Sequence, residues 1–553
     1  MSLRKLSGLL LASLAALGAI GASGVDGDFE KALRSITRDD LKAEIQVLSS
    51  DDFEGRAPST PGEEKTIRFL KEKFARLGLQ PGNGQSYVQE IPLTEITSSP
   101  VGDLVVSGDN STDRLRYRDE FVASTRRMIE RVEIEGSEIV FVGYGIVAPE
   151  WGWDDYKGTD VRGKTVVMLI NDPGFAMKDT SLFNGDAMTY YGRWTYKYEE
   201  AARHGAAGAF IVHETEPAAY PWAVVNNSFT GPQMNFAAED GNIACAAVEG
   251  WLTADAARKV FRQAGLDFDE VKAGAARREF KPIPLGLEAS VTIENSIRGA
   301  VSSNVLGLLP GGERKDEYII YMAHWDHLGI DTSRAGDRIF NGALDNATGV
   351  AGLLEIAEAF TKLKETPSRS ILFLAVTCEE QGLLGSEYYA QHPVYPLDHT
   401  VAVLNMDAMN IMGPMKDITV IGYGDSELDD YLVDAAKTQG RVVRPDPDPA
   451  KGFFFRSDHF SLAKRGVPAL YIGGGTDHVV HGTEWTREQR DKYTAEKYHK
   501  PSDEFDPGWD LSGTVDDLRL LFRVGYRLAG ESTFPNWKEG ATFKAARDEY
   551  KHP

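Results

Sequence analysis

Histidine and carboxylate side chains follow three apolar runs in the second half of the chain. His324 and Asp326 end the first run, and the adjacent Glu379 and Glu380 follow the second. Asp407 ends the third run. Histidine and carboxylates are the ligands that suit Zn²⁺ in catalytic sites, where one position stays open for water. These residue types therefore indicate a catalytic metal site.

Each of these residues has a chemical reason to lie there. Two divalent cations ~3.5–4 Å apart need a shared ligand, and Asp345, in the loop before a predicted helix, is the candidate bridge. Asp326 follows His324 by two residues and can accept the second ring N–H of that histidine. Glu379 and Glu380 point differently on a bend, so that one can bind metal while the other acts as general base.

Taken singly, each of these residues would be an ordinary surface group. Burying so many carboxylates at one sheet edge without cations would be very costly. The combination therefore predicts a metal site.

The chain from Ser302 onward alternates strand-like and helix-like segments. Such alternation predicts an α/β fold, here a three-layer α/β/α domain with a mostly parallel mixed sheet. In such sheets functional groups collect at the carboxyl ends of the strands. The predicted strands cover 317–324, 370–378, 400–407, 417–424 and 467–475, and the predicted helices cover 348–364, 383–391, 426–438 and 513–529.

The texture of the chain changes along its length. At the start of residues 28–135, apolar residues recur at the spacing of a helix. Residues 136–295 instead contain short strand-like runs that are broken by Gly and Pro. We therefore expect an N-terminal part of the catalytic domain over 28–135 and a β-rich insert with its own core over 136–295. The main catalytic domain is expected over 296–535, with a C-terminal tail over 536–553.

The ordered set of motifs closely resembles the M28 family of zinc peptidases, over most of residues 30–530. Thr348 is a departure, because the family more often has Ser there. The segment 136–295 resembles the protease-associated (PA) insert of many members. The matching motifs are His324-Trp325-Asp326, Asp345-Asn346-Ala347-Thr348-Gly349, Glu379-Glu380, Asn405-Met406-Asp407, Ser457-Asp458-His459 and Tyr498-His499-Lys500-Pro501-Ser502-Asp503.

The resemblance implies two Zn²⁺ ions per chain. It also implies roles for particular residues of these motifs. The implied roles are His324 and Asp407 for one ion, Glu380 and His499 for the other, Asp345 as the bridge, Glu379 as the general acid/base and Asp326 as the group that orients His324.

Other histidines compete for these roles. His478 and His481, in a glycine-rich loop, are a second candidate pair for the last ligand. The Y-H-x-P-S-D-E context favours His499, which would leave the pair in or near the substrate cleft. His327 and His459 are expected to be hydrogen-bonded structural histidines.

The resemblance implies a metallo-exopeptidase that acts on the N-termini of peptides or proteins. A carboxypeptidase needs cations to grip a terminal carboxylate, and few lie near the motifs. A carboxypeptidase or dipeptidase of the same family is the alternative, and a non-catalytic receptor-like homologue is disfavoured because every ligand and Glu379 are present. The segment 213–217 lacks the second histidine of H-E-x-x-H, which excludes a one-zinc thermolysin-type site.

Composition excludes several other classes of protein. Hydrophobic residues make up 42% and charged residues 26% of the 553 residues, as in a globular protein. The net charge of −23 makes nucleic acid an unexpected partner. Two cysteines exclude a disulfide scaffold and leave one possible bridge between Cys245 and Cys378. The oligomeric state and the side-chain preference stay open.

Residues 1–24 have the three parts of a secretory signal peptide. Arg4 and Lys5 precede an apolar stretch from Leu6 to about Ile20, and small residues follow. An uncleaved membrane anchor is the alternative, but the stretch is short and weakly apolar for a span. We expect export to the periplasm or the extracellular space, with no membrane span after the signal is removed.

Overall fold

The computed structural model describes residues 27–109, 111–332 and 334–550. The predicted signal peptide over 1–24 lies outside the described residues. The chain divides into two compact units, each assembled from separate stretches of sequence. The first unit comprises Met1–Ile91, Ser302–Pro447 and Ser457–Pro553, and the second comprises Pro92–Val301 and Asp448–Arg456.

The first unit is built on a β-sheet whose strands are apolar. Strands that are covered on both faces read as continuous apolar runs, and Arg369–Val376 is buried at every position. In chain order the strands are β1 (Ile283–Leu309, of which residues 302–309 belong to this unit), β2 (Arg314–His324), β3 (Arg369–Val376), β4 (Thr400–Asn405), β5 (Asp417–Ile421), β6 (Val442–Pro445) and β7 (Ala469–Ile472), with the short strand Gln80–Pro81 beside β1.

The strand order across this sheet is β1, β3, β2, β4, β7, β5 and β6. The central strands β3, β2, β4 and β7 run parallel. The end of β1 pairs antiparallel with β3, and β5 pairs antiparallel with β7. The sheet is therefore mixed and mostly parallel, as predicted.

Helices flank the sheet. Thr348–Thr361 and Ser512–Gly530 contact β2 and β3, and they share a hydrophobic core with Ile319 and Tyr321 of β2. His459–Ala463 packs on β4 and β7. The α/β fold class is confirmed. The helices of the first unit are 27–34, Arg38–Leu48, Pro61–Arg76, Thr348–Thr361, Leu384–Gln391, Leu428–Lys437, His459–Ala463, Gly482–Glu496, Ser512–Gly530 and Lys544–Asp548.

The second unit has its own β-strands and its own hydrophobic cores. Thr165–Leu169, Gly208–His213 and Val248–Thr253 run parallel, and apolar side chains such as Phe141 and Trp251 lie in two separate clusters. Its other strands include Leu104–Gly108, Ser111–Leu115, Phe121–Ser124, Arg131–Phe141 and Pro232–Phe236, and its longer helices are Trp194–Arg203, Trp222–Ser228, Ala254–Gln263 and Phe268–Ala275.

The boundaries of the second unit differ from the predicted limits of 136 and 295. Leu104–Gly108 pairs with residues 288–290, and Phe121–Ser124 pairs with Val248–Thr253. Residues 92–135, which were expected in the catalytic domain, therefore belong to the second unit. These pairings join segments more than 100 residues apart, which a local change of texture does not reveal.

The predicted tail over 536–553 is folded into the first unit as far as it is described. Trp537 is 1% exposed, and its indole N–H donates to the carbonyl of Gly466 at 3.0 Å. The buried guanidinium of Arg547 donates to the carbonyl of Thr400 at 3.0 Å. The division between domain and tail is therefore corrected, because this segment packs on the first unit.

Two further features bear on the sequence analysis. Among the described residues, no helix combines the length and the apolar character needed to cross a membrane. Cys245 and Cys378 are both free thiols, and Cys378 is buried.

Candidate metal centre

The predicted metal ligands converge at the carboxyl ends of the central strands. His324 is the last residue of β2, Glu380 lies just beyond β3, and Asp407 lies just beyond β4. Asp345 lies in the turn Ala343–Ala347, which leads into the helix Thr348–Thr361. His499 follows the helix Gly482–Glu496. Parallel strands bring their carboxyl ends to one edge, which is why residues so far apart in sequence meet here.

One donor set is centred on His324. Its Nε2 lies 3.3 Å from Asp345 Oδ1 and 3.4 Å from Asp407 Oδ1. Two ligand atoms that bind one tetrahedral zinc at ~2.0–2.1 Å lie about 3.3 Å from each other. The three side chains therefore have the spacing of ligands to a single ion.

A second donor set is centred on His499. Its Nε2 lies 3.3 Å from Asp345 Oδ2 and 3.1 Å from Glu380 Oε2. Asp345 thus presents one carboxylate oxygen to each histidine. That is the arrangement expected of a carboxylate that bridges two cations.

The residues present fit zinc. The Nε2 atom of His324 is buried and makes no hydrogen bond, although it points at two carboxylates. An imidazole nitrogen in such a position is suited to bind a metal ion, and the donors are the nitrogen and oxygen ligands that zinc takes.

His327 also lies against the second donor set. His327, Asp345 and Glu380 offer ligand atoms within 4.8 Å of one another. However, His327 Nδ1 lies 2.6 Å from Glu380 Oε1, which is a hydrogen-bond distance and too short for two ligands of one ion. The spacing therefore favours His499 as the ligand and His327 as a hydrogen-bonding partner of Glu380.

Asp326 makes different contacts from those expected. It is 0% exposed, and its carboxylate accepts hydrogen bonds from the backbone N–H groups of Glu379 at 3.1 Å and Glu380 at 3.4 Å. His324 Nδ1 lies 3.2 Å from the backbone carbonyl of Asp326 and 3.7 Å from its carboxylate. The backbone of Asp326 therefore orients His324, whereas its side chain holds the loop after β3.

The two adjacent glutamates have opposite pKa shifts. Burial raises the pKa of Glu379 well above its usual range, and the negative charges of Glu380 and Asp407 add to the effect. Burial also acts to raise the pKa of Glu380, but the neighbouring His499 and His327 lower it to about 2. Glu379 is thus suited to hold a proton, whereas Glu380 is ionised, as a metal ligand must be.

The loop that carries Asp345 is held by a buried aspartate. Asp503 accepts hydrogen bonds from the backbone N–H groups of Leu344 at 3.2 Å and Asp345 at 3.1 Å. Tyr493 donates its hydroxyl hydrogen to the same carboxylate at 3.2 Å. Asp503 belongs to a motif that the sequence analysis had matched, but without a role for this residue.

Arg56 is a supporting residue that the sequence analysis missed. It is 1% exposed, and its guanidinium donates to the carbonyls of Trp325 at 2.9 Å, Asn341 at 2.7 Å and Gly342 at 2.8 Å. It therefore ties the segment of His324 to the loop of Asp345. Its own segment is a short 3-10 helix over Asp51–Arg56 in a turn-rich stretch, so no periodic apolar pattern marked it.

The competing pair His478 and His481 has other contacts. Their rings stack at 4.7 Å, and Trp485 lies against both. His478 Nδ1 accepts hydrogen bonds from the backbone N–H groups of Val480 and His481. Within the described part of the chain, neither histidine belongs to a group of candidate metal ligands. The Nδ1 atom of His478 is therefore occupied by hydrogen bonds within its own turn.

Comparison with known proteins agrees with the site. Residues 304–522 match the model of peptidase family M28. Aminopeptidase NAALADL1 of Mus musculus is 35% identical over 143 residues, which are 25% of this chain and 18% of that protein. The glutamate carboxypeptidase 2 homolog of Caenorhabditis elegans is 28% identical over 205 residues, which are 35% of this chain and 24% of that protein. This chain thus spans less than a quarter of the length of either relative.

A solved structure shares the fold. The aminopeptidase from Aneurinibacillus sp. strain AM-1 superposes with a TM-score of 0.51 and 17% identity, and the match covers 92% of this chain and 97% of that one. Residues 304–522, which carry the motifs at the ends of β2, β3 and β4, match peptidase family M28, so this part of the chain is an M28 peptidase domain.

Proposed function

We propose that this chain is a di-zinc exopeptidase that removes residues from the amino end of peptides. The observation that carries the proposal is the position of Asp345, whose two carboxylate oxygens lie 3.3 Å from two different histidines. A carboxylate in this position can hold two cations side by side, as co-catalytic hydrolases require.

The chain supplies the proton transfers. Zinc ions bound by these residues would lower the pKa of a water molecule and polarise a peptide carbonyl. Glu379 takes the proton of the attacking water and returns it to the leaving amine. Asp326 fixes the backbone of Glu379 through the hydrogen bond at 3.1 Å and so sets the direction of the base.

Charge favours a substrate with a free amine. The carboxylates of the metal centre supply the negative charge that an amine seeks, whereas a terminal carboxylate needs cations. Among the cations in or next to the motifs, Lys500 donates to the carbonyl of Ala495. Arg456 lies with its guanidinium 5.2 Å from the centre of the Phe453 ring. Both are thus engaged by neighbouring groups.

A carboxypeptidase activity is the second candidate. The similarity to the glutamate carboxypeptidase 2 homolog favours it, since the same metal centre can serve either end of a peptide. The acidic surroundings of the centre and the similarity to aminopeptidase NAALADL1 favour the amino end.

The proposal also covers where the protein acts and what kind of module the second unit is. The composition of residues 1–24 supports export to the periplasm or beyond. The separate core of the second unit supports its assignment as a protease-associated module.

Hydrolysis of p-nitroanilides by the purified full chain tests the proposal. We expect Leu- or Ala-p-nitroanilide to be hydrolysed, and the N-acetylated compounds to be resistant. Glu379→Gln is the control for contaminating peptidases, since it should be nearly inactive. Equal hydrolysis of free and acetylated substrates, or release of residues only from the carboxyl end of peptides, would overturn the assignment.

A further inference from the structure

The loop that carries Glu379 and Glu380 begins and ends against one buried asparagine. We call residues 377–385 the glutamate loop. Asn304, on β1, is 0% exposed. Its side-chain carbonyl accepts a hydrogen bond from the backbone N–H of Thr377 at 3.1 Å, and its side-chain N–H donates to the carbonyl of Gly385 at 2.9 Å. A single side chain thus contacts both ends of the glutamate loop.

The amide group of Asn304 has a fixed orientation. Its second N–H donates to Gln89 Oε1 at 3.1 Å. A reversed amide would place its NH₂ group against the N–H of Thr377 and its oxygen against the carbonyl of Gly385. The N–H of Gly385 also donates to the carbonyl of Thr377 at 2.9 Å. The ends of the glutamate loop are therefore joined directly to each other and through Asn304.

Gly385 leaves the space that Asn304 occupies. Gly385 is buried, and a Cβ atom at this position would lie 2.6 Å from Asn304 Oδ1. Such a contact is too short for carbon and oxygen, so a larger residue would push the asparagine away. The glycine of the motif and the asparagine of β1 thus fit each other.

Ser302 adds a second contact from β1. Residues two apart on a strand lie on the same face, so Ser302 and Asn304 point the same way. Thr377 Oγ1 lies 2.6 Å from Ser302 Oγ, and the hydroxyl of Ser302 donates to Glu63 at 3.0 Å. The first residue of the glutamate loop is therefore held by its backbone and by its side chain.

The glutamate loop contains two strained residues. Cys378 has a φ of 54° and Leu383 has a φ of 64°, in the left-handed region that is unfavourable for residues other than glycine. Such conformations persist only where the surrounding structure holds them. Cys378 directly precedes Glu379, so its backbone conformation sets the direction of that glutamate. A loop released at its ends would relax at Cys378 and turn Glu379 away.

We propose that Asn304 is a positioning residue that aims the general base by holding the two ends of the glutamate loop. This inference rests on the proposed function, in which Glu379 transfers the protons. Asp326 binds the N–H groups of Glu379 and Glu380 in the middle of the loop, whereas Asn304 keeps Cys378 in its strained conformation. A small displacement of a catalytic group can lower the rate by roughly 100-fold.

Asn304→Leu in the full-length, zinc-loaded protein tests the inference. Leucine has a similar size but makes no hydrogen bond, so both ends of the glutamate loop are released. We expect kcat for Leu-p-nitroanilide to fall roughly 10- to 100-fold with KM largely unchanged. Chelator competition should show one of the two zinc ions bound roughly tenfold more weakly, since Glu380 lies in the same loop. Val305→Ala, which removes core packing from the neighbouring residue of β1, should leave kcat and zinc affinity unchanged.

A second substitution distinguishes positioning from general disruption. Glycine adopts a positive φ without strain, so Cys378→Gly should restore part of the kcat that Asn304→Leu has lost. The single variant Cys378→Gly provides the baseline. Gln381→Gly is the matched control, because it makes the same loop more flexible without relieving a positive φ, and it should restore nothing.

Gly385→Ala keeps the inference testable if Asn304→Leu does not fold. Its added methyl group displaces Asn304, so it should lower kcat in the same way. The double variant with Asn304→Leu should lose no more than the single variants, because both act on one contact.

The outcomes distinguish this inference from the proposed function. If the wild type neither binds two zinc equivalents nor hydrolyses Leu-p-nitroanilide, the proposed function fails and the inference fails with it. If the wild type is active but Asn304→Leu and Gly385→Ala match Val305→Ala in kcat and zinc affinity, only the inference is overturned. It is also overturned if Cys378→Gly restores no more activity than Gln381→Gly, since Asn304 would then have a general structural role.

Discussion

The carboxylate of Asp326 accepts a hydrogen bond from the backbone N–H of Glu379 at 3.1 Å. Asp326 follows β2 and Glu379 follows β3, so this contact joins the ends of two neighbouring parallel strands. The aspartate two residues after the proposed metal ligand His324 thus sets the position of the proposed general base.

Asp326→Asn tests this relationship. The carboxylate of Asp326 accepts from the backbone N–H groups of both Glu379 and Glu380. An asparagine side chain has only one acceptor oxygen, and its NH₂ group would face the second N–H. One of the two backbone N–H groups therefore loses its partner. We expect activity to fall roughly 10–100-fold with the zinc content largely kept. Loss of both zinc ions at unchanged folding would instead mean that the carboxylate acts mainly on His324.

The adjacent glutamates should separate chemistry from metal binding. Glu379→Gln should keep its zinc and lose roughly 10²–10⁴-fold in rate, because an amide cannot accept the proton of water. Glu380→Gln should lose zinc. The measurements are kcat and metal content of both variants, and exchanged phenotypes would reverse the two roles.

Arg56→Lys should weaken metal binding although the positive charge is kept. A lysine lacks the planar fork that reaches the carbonyls of Trp325 and Gly342 together. We expect zinc affinity to fall roughly tenfold or more by chelator competition. Arg369→Lys is the matched control, since Arg369 is also buried and donates to the carbonyl of Leu528 at 2.7 Å, outside the metal centre. Equal effects of the two substitutions would assign Arg56 a purely structural role.

Glu355 should make the protein less stable as the pH rises. Burial raises its pKa from 4.5 to about 8, so the folded state binds the proton more tightly than the unfolded state. The stability from the protonated form is complete below pH 4.5 and is lost as the pH rises through 8. Glu355→Gln should therefore gain stability over the wild type between pH 5 and 8, on the order of 1 kcal/mol at the upper end.

Urea unfolding of the zinc-loaded protein at pH 5 and pH 8 measures this difference. Glu358→Gln, on the same helix and half-buried, is the control. A stability difference between Glu355→Gln and wild type that is the same at both pH values would contradict the assignment.

The sequence predicted those parts of the site that strand ends determine. His324 and Asp407 lie at the ends of continuous apolar runs, which indicate buried strands. Parallel strands bring the residues at their carboxyl ends together. Arg56 was missed because its role depends on three carbonyls more than 260 residues away in sequence. Residues 92–135 were assigned to the wrong unit for the same reason, since their pairing with residues 288–290 and Val248–Thr253 is set by long-range contacts.

Local spacing also described the contact between His324 and Asp326 incompletely. Two residues apart on an extended segment, His324 and Asp326 were expected to meet through their side chains. The chain turns after β2, so that the ring of His324 meets the backbone carbonyl at 3.2 Å and the carboxylate is left for the loop after β3. Such a turn depends on the neighbouring loops, which no spacing rule describes.

Zinc content per chain, measured by elemental analysis of the purified full-length protein beside Asp345→Ala, tests the central claim most directly. The wild type should contain close to two equivalents. Asp345→Ala should lose both ions, because two cations without a shared anion repel each other. A wild type with one equivalent or none, or an Asp345→Ala variant that keeps two, would contradict a zinc pair bridged by Asp345.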